Sequence, residues 1–223
     1  MKGFSTLSKH IFIYIAICVI SFILGSTICY KADYKHIYNY YSDRLYLQAN
    51  EIANEYALDY LSETKLRRIE LEMKSLSTFN DTRIMFITPS GDVILDTNNS
   101  STDKSNEDRI LFSINDFDYG DLKGKPDILW DFYGLFSEPA LSVFSPISNS
   151  FEIKGYVVIN IPESAIVERV YDTFNTNYLT LAIVLILSSA FLVLYFFQVH
   201  RPIKEITRAT NEYSKGNLSY HVK

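Results

Sequence analysis

The sequence predicts an α+β membrane protein. Two transmembrane helices flank one extracytoplasmic domain made of a long N-terminal helix and an antiparallel sheet, and a coiled-coil-forming helix follows. Three observations carry this. Residues 11–30 and 178–197 are two charge-free apolar runs of 20 residues each, and at about 1.5 Å per residue each is about 30 Å long, the thickness of a bilayer core. Between them the apolar spacing changes from a helical period to alternation. After the second run, Ile203, Ile206, Thr210 and Tyr213 step three, four, three, the spacing of a coiled-coil seam.

Charge orients the two spans. Residues 31–177 carry 14 Lys and Arg against 24 Asp and Glu, a balance of −10, whereas Lys2 and Lys9 precede the first span without any acid. The tail from Arg201 holds five basic residues against Glu205 and Glu212. Positive flanks place both termini in the cytoplasm and the middle outside, although Lys31 and Lys35 sit just beyond the first span. The expected layout is a cytoplasmic N-terminus (1–10), a span (11–30), an outer domain (31–177), a second span (178–199) and a cytoplasmic tail (200–223). A cell membrane protein with two spans follows, and the acidic balance excludes a nucleic-acid partner.

A cleaved leader is the alternative for the first run, but the stretch is long for that role. Ser26-Thr27-Ile28-Cys29 approximates a lipoprotein box and fails on the bulk of Ile28. Both cysteines, Cys18 and Cys29, lie in this span, so the outer domain contains no disulfide. With Ser21 and Gly25 they form a stripe of small residues, either ordinary composition or a seam between two copies.

Along the outer domain, Tyr38, Tyr41, Leu45, Ala49, Ile52, Tyr56 and Tyr60 recur at helical spacing and predict an amphipathic helix over 33–61, continuous with the first span. Leu66, Ile69, Met73 and Leu76 predict a second helix. Residues 83–87 and 93–95 flank Pro89-Ser90-Gly91-Asp92 as strand, turn, strand. Residues 97–108 read as a loop, and 109–138 carry only short apolar pieces. Residues 141–147 and 153–161 form a second hairpin, and Pro162-Glu163-Ser164 opens a helix that enters the second span without a breaker. A sheet of about five strands is expected.

Two stretches resemble the extracytoplasmic PAS-like (Cache) sensor domain of bacterial sensor histidine kinases. These are residues 83–96, with their Gly91-Asp92 turn, and Lys154-Gly155-Tyr156-Val157-Val158-Ile159-Asn160-Ile161-Pro162. The tail resembles a HAMP domain through Pro202, Ile203, Glu205 and Ile206 on a first helix, then Gly216, Leu218 and Val222 in a connector. Pro202 suits a helix start and Gly216 a left-handed stop. The HAMP resemblance implies that Leu218 and Val222 pack on a four-helix bundle made by two subunits. Half of such a domain cannot bury its own seam, so sequence beyond Lys223 is expected. The competing reading of the tail is a helix lying on lipid.

The resemblance implies the input half of a sensor histidine kinase in a two-component phosphorelay. It would act as a homodimer in contact with membrane lipid, an extracellular ligand and, through a downstream kinase domain, a response regulator. No catalytic motif lies in these residues. His10, His36, His200 and His221 have no acidic neighbour following, and the glycines form no phosphate-cradling cluster. No cofactor is expected in this chain; ATP and Mg²⁺ belong to the downstream kinase. The same input could serve a chemotaxis receptor or a cyclic-dinucleotide enzyme. A two-span scaffold protein is the alternative from another class.

A carboxylate or amino-acid ligand would use basic and hydroxyl groups, and Arg83, Arg109, Lys154 and Tyr156 are the candidates. Asp116, Asp118 and Asp121, within a run that includes Asp127 and Asp131, are weak candidates for Ca²⁺ or Mg²⁺, since their spacing matches no EF-hand loop and lysines interrupt them.

Overall fold

The computed structural model describes residues 6–61, 66–99, 110–122, 127–149 and 152–217. Lys31–Asp172 form one compact unit; Met1–Tyr30 with Thr173–Lys223 form another.

In the first of these units, the outer part of helix α1 (Thr6–Glu55), α2 (Ala57–Leu61) and α3 (Leu66–Asn80) precede the sheet. The strands are β1 (Arg83–Ile87), β2 (Asp92–Asp96), β3 (Phe112–Ser113), β4 (Asp127–Trp130), β5 (Ala140–Asn149) and β6 (Glu152–Pro162). They form a six-stranded antiparallel sheet in the order β3-β2-β1-β6-β5-β4. The two strands outside the hairpins read from sequence are β4 and β3, the latter a two-residue edge piece pairing Phe112 with Val93 and Ser113 with Asp92. So short a strand has no period to read.

The central strands are apolar on both faces because both faces are covered. One face presents Ile84, Phe86, Val143, Val157 and Ile159 to Ala49 and Ile52 of α1, Tyr60 of α2 and Met73 of α3. The predicted 33–61 helix is interrupted at Tyr56. Past that turn, α2 is held to the sheet by Tyr60, whose hydroxyl donates to the Ile94 carbonyl at 3.0 Å and whose ring meets Phe86 edge-on at 5.4 Å. The opposite face presents Met85, Ile87, Phe144, Tyr156 and Val158 to Ile114 and Phe132.

Gly155 lets the central strands close. A Cβ there would sit 2.7 Å from the Ile87 carbonyl oxygen, a backbone atom that cannot rotate away. Gly155→Ala is therefore expected to part β1 from β6 and lower stability by about 1–3 kcal/mol. Denaturant unfolding followed through Trp130, the single tryptophan, checks this; an unchanged midpoint would refute the close approach.

The other unit holds the two apolar helices, the inner part of α1 and α4 (Glu163–Tyr195) from Thr173 onward. Both are long and apolar enough to cross a membrane by length and composition. They pack through Phe22 against Tyr178 at 5.1 Å, Tyr30 against Phe174 at 5.9 Å, and a 2.7 Å hydrogen bond between Tyr14 and Ser188. A Cβ at Gly25 would lie 3.9 Å from Leu181. Gly25, part of the stripe read from sequence as either ordinary composition or a seam between copies, faces the chain's own second helix.

Beyond α4, Phe196–His200 form a π-helical turn, closed by the Arg201 N–H donating to the Phe196 carbonyl, and α5 (Arg201–Ser214) follows. Pro202 has no N–H to give, so the looser turn lies where a regular bond would be lost anyway. The end of α5 is closed by Gly216 at φ 87°, with its N–H on the Tyr213 carbonyl at 3.0 Å.

Candidate functional site

The sheet face turned away from the helices carries a polar cluster at one end and aromatic rings over the rest. Side chains alternate along a strand. Tyr156 and Val158 face this side while Val157, Ile159 and Ile161 face the helices, so Asn160 faces this side too. On β5, Phe144 sets the same phase for Ser142. The register then lines up Arg83, Asn160, Ser142 and Ile128 across four adjacent strands, with directly opposed Cβ atoms about 4.5–5.5 Å apart.

Asn160 is 2 % exposed and Ser142 0 %. Among the described residues, neither amide atom of Asn160, nor Ser142 Oγ, nor the buried Trp130 Nε1 has a hydrogen-bond partner. Each such group left unpaired costs about 1–3 kcal/mol. Arg83, beside them, is committed elsewhere. Its Nε and Nη2 donate to the two Asp96 oxygens at 2.9 and 2.6 Å, and the Asp96 side chain is wholly buried. The Asn98 backbone N–H adds a 3.0 Å bond to the same carboxylate, and the Arg83 guanidinium lies 5.2 Å from the Phe136 ring centre.

Two segments cover this face. In the first, Phe132, Tyr133 and Gly134 take three successive left-handed conformations, at φ 51°, 55° and 75°. That geometry costs a non-glycine residue about 1–2 kcal/mol. Ring packing holds it: Phe132 stacks on Phe144 at 6.0 Å, and Trp130 meets Tyr133 at 4.7 Å. In the second, Tyr119 stacks on Tyr156 at 4.6 Å with Phe117 alongside. The Tyr133 hydroxyl joins the two, accepting from the Asp118 N–H at 3.1 Å and donating to its carbonyl at 3.2 Å. Burial, then the nearby Tyr119 and Asp118, push the Tyr156 phenol above its ordinary pKa, so it stays a neutral donor at neutral pH.

Of the residues expected at a ligand site, Arg83 and Tyr156 both lie on this face. Four positions separate Tyr156 from Asn160 on β6, about 13 Å of strand. Lys154 is solvent-exposed and ion-paired with Glu152 at 2.6 Å, and Arg109 lies outside the described residues. Sequence reasoning missed Asn160, Ser142, Asp96 and Trp130. The available signal was Asn160 itself, a polar side chain set inside Val157-Val158-Ile159-Asn160-Ile161.

Asp116 takes φ 60°, and Asp118 accepts the Gly120 N–H at 2.7 Å; nothing is described of the Asp121 side chain. Among the described residues no three His, Cys, Asp or Glu side chains gather to hold a metal. On α5, Glu205 lies 3.6 Å from Arg201, and Ile203 and Ile206 are exposed; Leu218 and Val222 lie outside the described residues.

No protein-family model and no curated protein matches the sequence. Among solved structures, the chain is similar to the following domains. With the extracellular domain named for the histidine kinase vpHK1S-Z8 it shares 18 % identity over 66 % of this chain and 61 % of that one, at a TM-score of 0.47. With a domain named for a sensory box/GGDEF family protein of Vibrio parahaemolyticus the values are 18 %, 64 %, 62 % and 0.46. With the ligand-binding domain of the Campylobacter jejuni chemoreceptor Tlp3, solved in complex with 4-methylisoleucine, they are 17 %, 68 %, 63 % and 0.47. The chain spans about three fifths of the length of these structures.

Proposed function

We propose that this chain is the input half of a membrane-bound sensor histidine kinase of a two-component system, acting as a homodimer with its outer domain extracytoplasmic. The observation that carries the reading is the course of α4. It starts at Glu163, directly after the last residue of β6, and runs unbroken to Tyr195, from where helical turns continue to Ser214. A change in the sheet moves that helix. The exposed Ile203 and Ile206, with Tyr213, form a seam that a second copy would cover, and its repacking between two arrangements would bias a downstream kinase. Pro202, Glu205, Gly216, Leu218 and Val222 are the other residues assigned to transmission. ATP and Mg²⁺ would serve that downstream domain, and a response regulator would receive the phosphoryl group.

Fusing residues 1–217 to the remaining HAMP segment and kinase of a characterised sensor tests the coupling without knowledge of the stimulus. Autophosphorylation is expected to differ between wild-type and Arg83→Ala input domains. A Gly-Gly insertion after Asn177 is expected to erase the difference. No difference, or one that survives the insertion, would rule out a mechanical link and favour a scaffold.

A further inference from the structure

We infer that the cluster around Asn160 receives an uncharged small molecule with an amide-type donor–acceptor edge and an apolar body; this rests on the sensor reading above and names the ligand class of that face. An anionic ligand fits the cluster poorly. Arg83, the cation at this end of the face among the described residues, is already neutralised by two hydrogen bonds to Asp96. The Asp96 carboxylate is buried beside it, so an incoming carboxylate would meet a like charge. Lys154 lies six positions from Asn160 along β6, about 20 Å away, and is paired with Glu152.

The groups lacking partners are of both kinds. Asn160 offers one acceptor and two donors, Ser142 a hydroxyl able to do either, and Trp130 an indole N–H. A carboxylate only accepts and would leave Asn160 Oδ1 unmatched. An ammonium only donates and would leave the indole and the Asn160 N–H groups unmatched. A carboxamide, urea or lactam edge presents a carbonyl and an N–H side by side and can answer both halves of Asn160. Phe136 lies 5.2 Å from the Arg83 guanidinium, Phe132 packs on Phe136 at 5.7 Å and on Phe144 at 6.0 Å, and these rings suit an apolar remainder. Trp130, two positions along β4 from Ile128 and in contact with Phe132 and Tyr133, places a spectroscopic reporter on the same face.

The test uses the full chain in lipid nanodiscs, melted while Trp130 emission is followed, with matched pairs of probes: isobutyramide against isobutyrate, and benzamide against benzoate. Each pair differs in charge and scarcely in shape. The amides are expected to raise the melting temperature by about 3–6 °C at ten times their dissociation constant and to shift Trp130 emission, while the acids do neither. Asn160→Leu should melt no lower than wild type, because it removes an unpaired polar group, and should lose the amide response. An amide response that persists in Asn160→Leu overturns the site. A response to the acids that is lost in Asn160→Leu overturns the ligand class and leaves the sensor reading standing. Silence from both series overturns the inference in favour of buried water, and the chimera experiment then decides the sensor reading on its own.

Discussion

Arg83→Ala is expected to destabilise the sheet unit by about 3–5 kcal/mol, the usual penalty for stranding one member of a buried ion pair. The Asp96 carboxylate is wholly buried, and the Arg83 side chain is 20 % exposed. Once the guanidinium is gone, the carboxylate keeps the Asn98 N–H and loses both charge-assisted bonds. The contact with the Phe136 ring is lost as well, worth about 0.5–1 kcal/mol. The companion variant, Arg83→Met with Asp96→Leu, removes both charges and should recover most of the loss. Urea unfolding in nanodiscs read through Trp130 separates these outcomes. A loss below about 1 kcal/mol for Arg83→Ala would show that the pair behaves as a solvated surface bridge.

Phe132 supplies the other large effect, and its sign is unusual. The ring is fully buried among Trp130, Phe136 and Phe144, so truncation to Ala should cost about 3–5 kcal/mol through lost burial and the space left behind. The backbone there is left-handed at φ 51°, which Ala tolerates poorly and Gly readily. Phe132→Gly is therefore expected to be more stable than Phe132→Ala by up to about 1 kcal/mol, the reverse of the ordering in a helix or strand. The same Trp130-monitored unfolding decides it. If Gly proves the worse substitution, the left-handed turn is not what the ring is holding in place.

Much of the architecture was legible because long elements repeat their pattern. The apolar runs, the 83–96 hairpin and the 141–161 hairpin each offer several periods of evidence, and the structure places α1, β1, β2, β5, β6 and α4 on them. The stretch from 109 to 138 was not legible. Its strands are two and four residues long, and its shape is fixed by ring packing and left-handed backbone, neither of which leaves a period. The residues of the candidate face were only partly visible for a related reason. Arg83 and Tyr156 stand out by chemistry, but they lie on strands whose pairing brings Asn160 and Ser142 beside Arg83 from far along the chain. That adjacency belongs to register, and no spacing within either hairpin announces it. The partnership of Arg83 with Asp96 was likewise hidden, and it is what turns an apparent anion receptor into a balanced surface.

The π-helical turn at Phe196–His200 also limits what a pattern can say. An α-helix advances about 100° per residue, and a wide turn accommodates one residue more than an α-turn, so it offsets everything after it by about that angle. A heptad count carried from the apolar part of α4 into α5 is therefore out of phase by more than a quarter of a circle. Ile203 and Ile206 point where the turn aims them, not where α4's own stripe would. The junction thus sets a rotational angle between α4 and α5. Sliding the wide turn one helical turn either way would leave both ends facing as before, and losing it would swing the tail's seam around the axis.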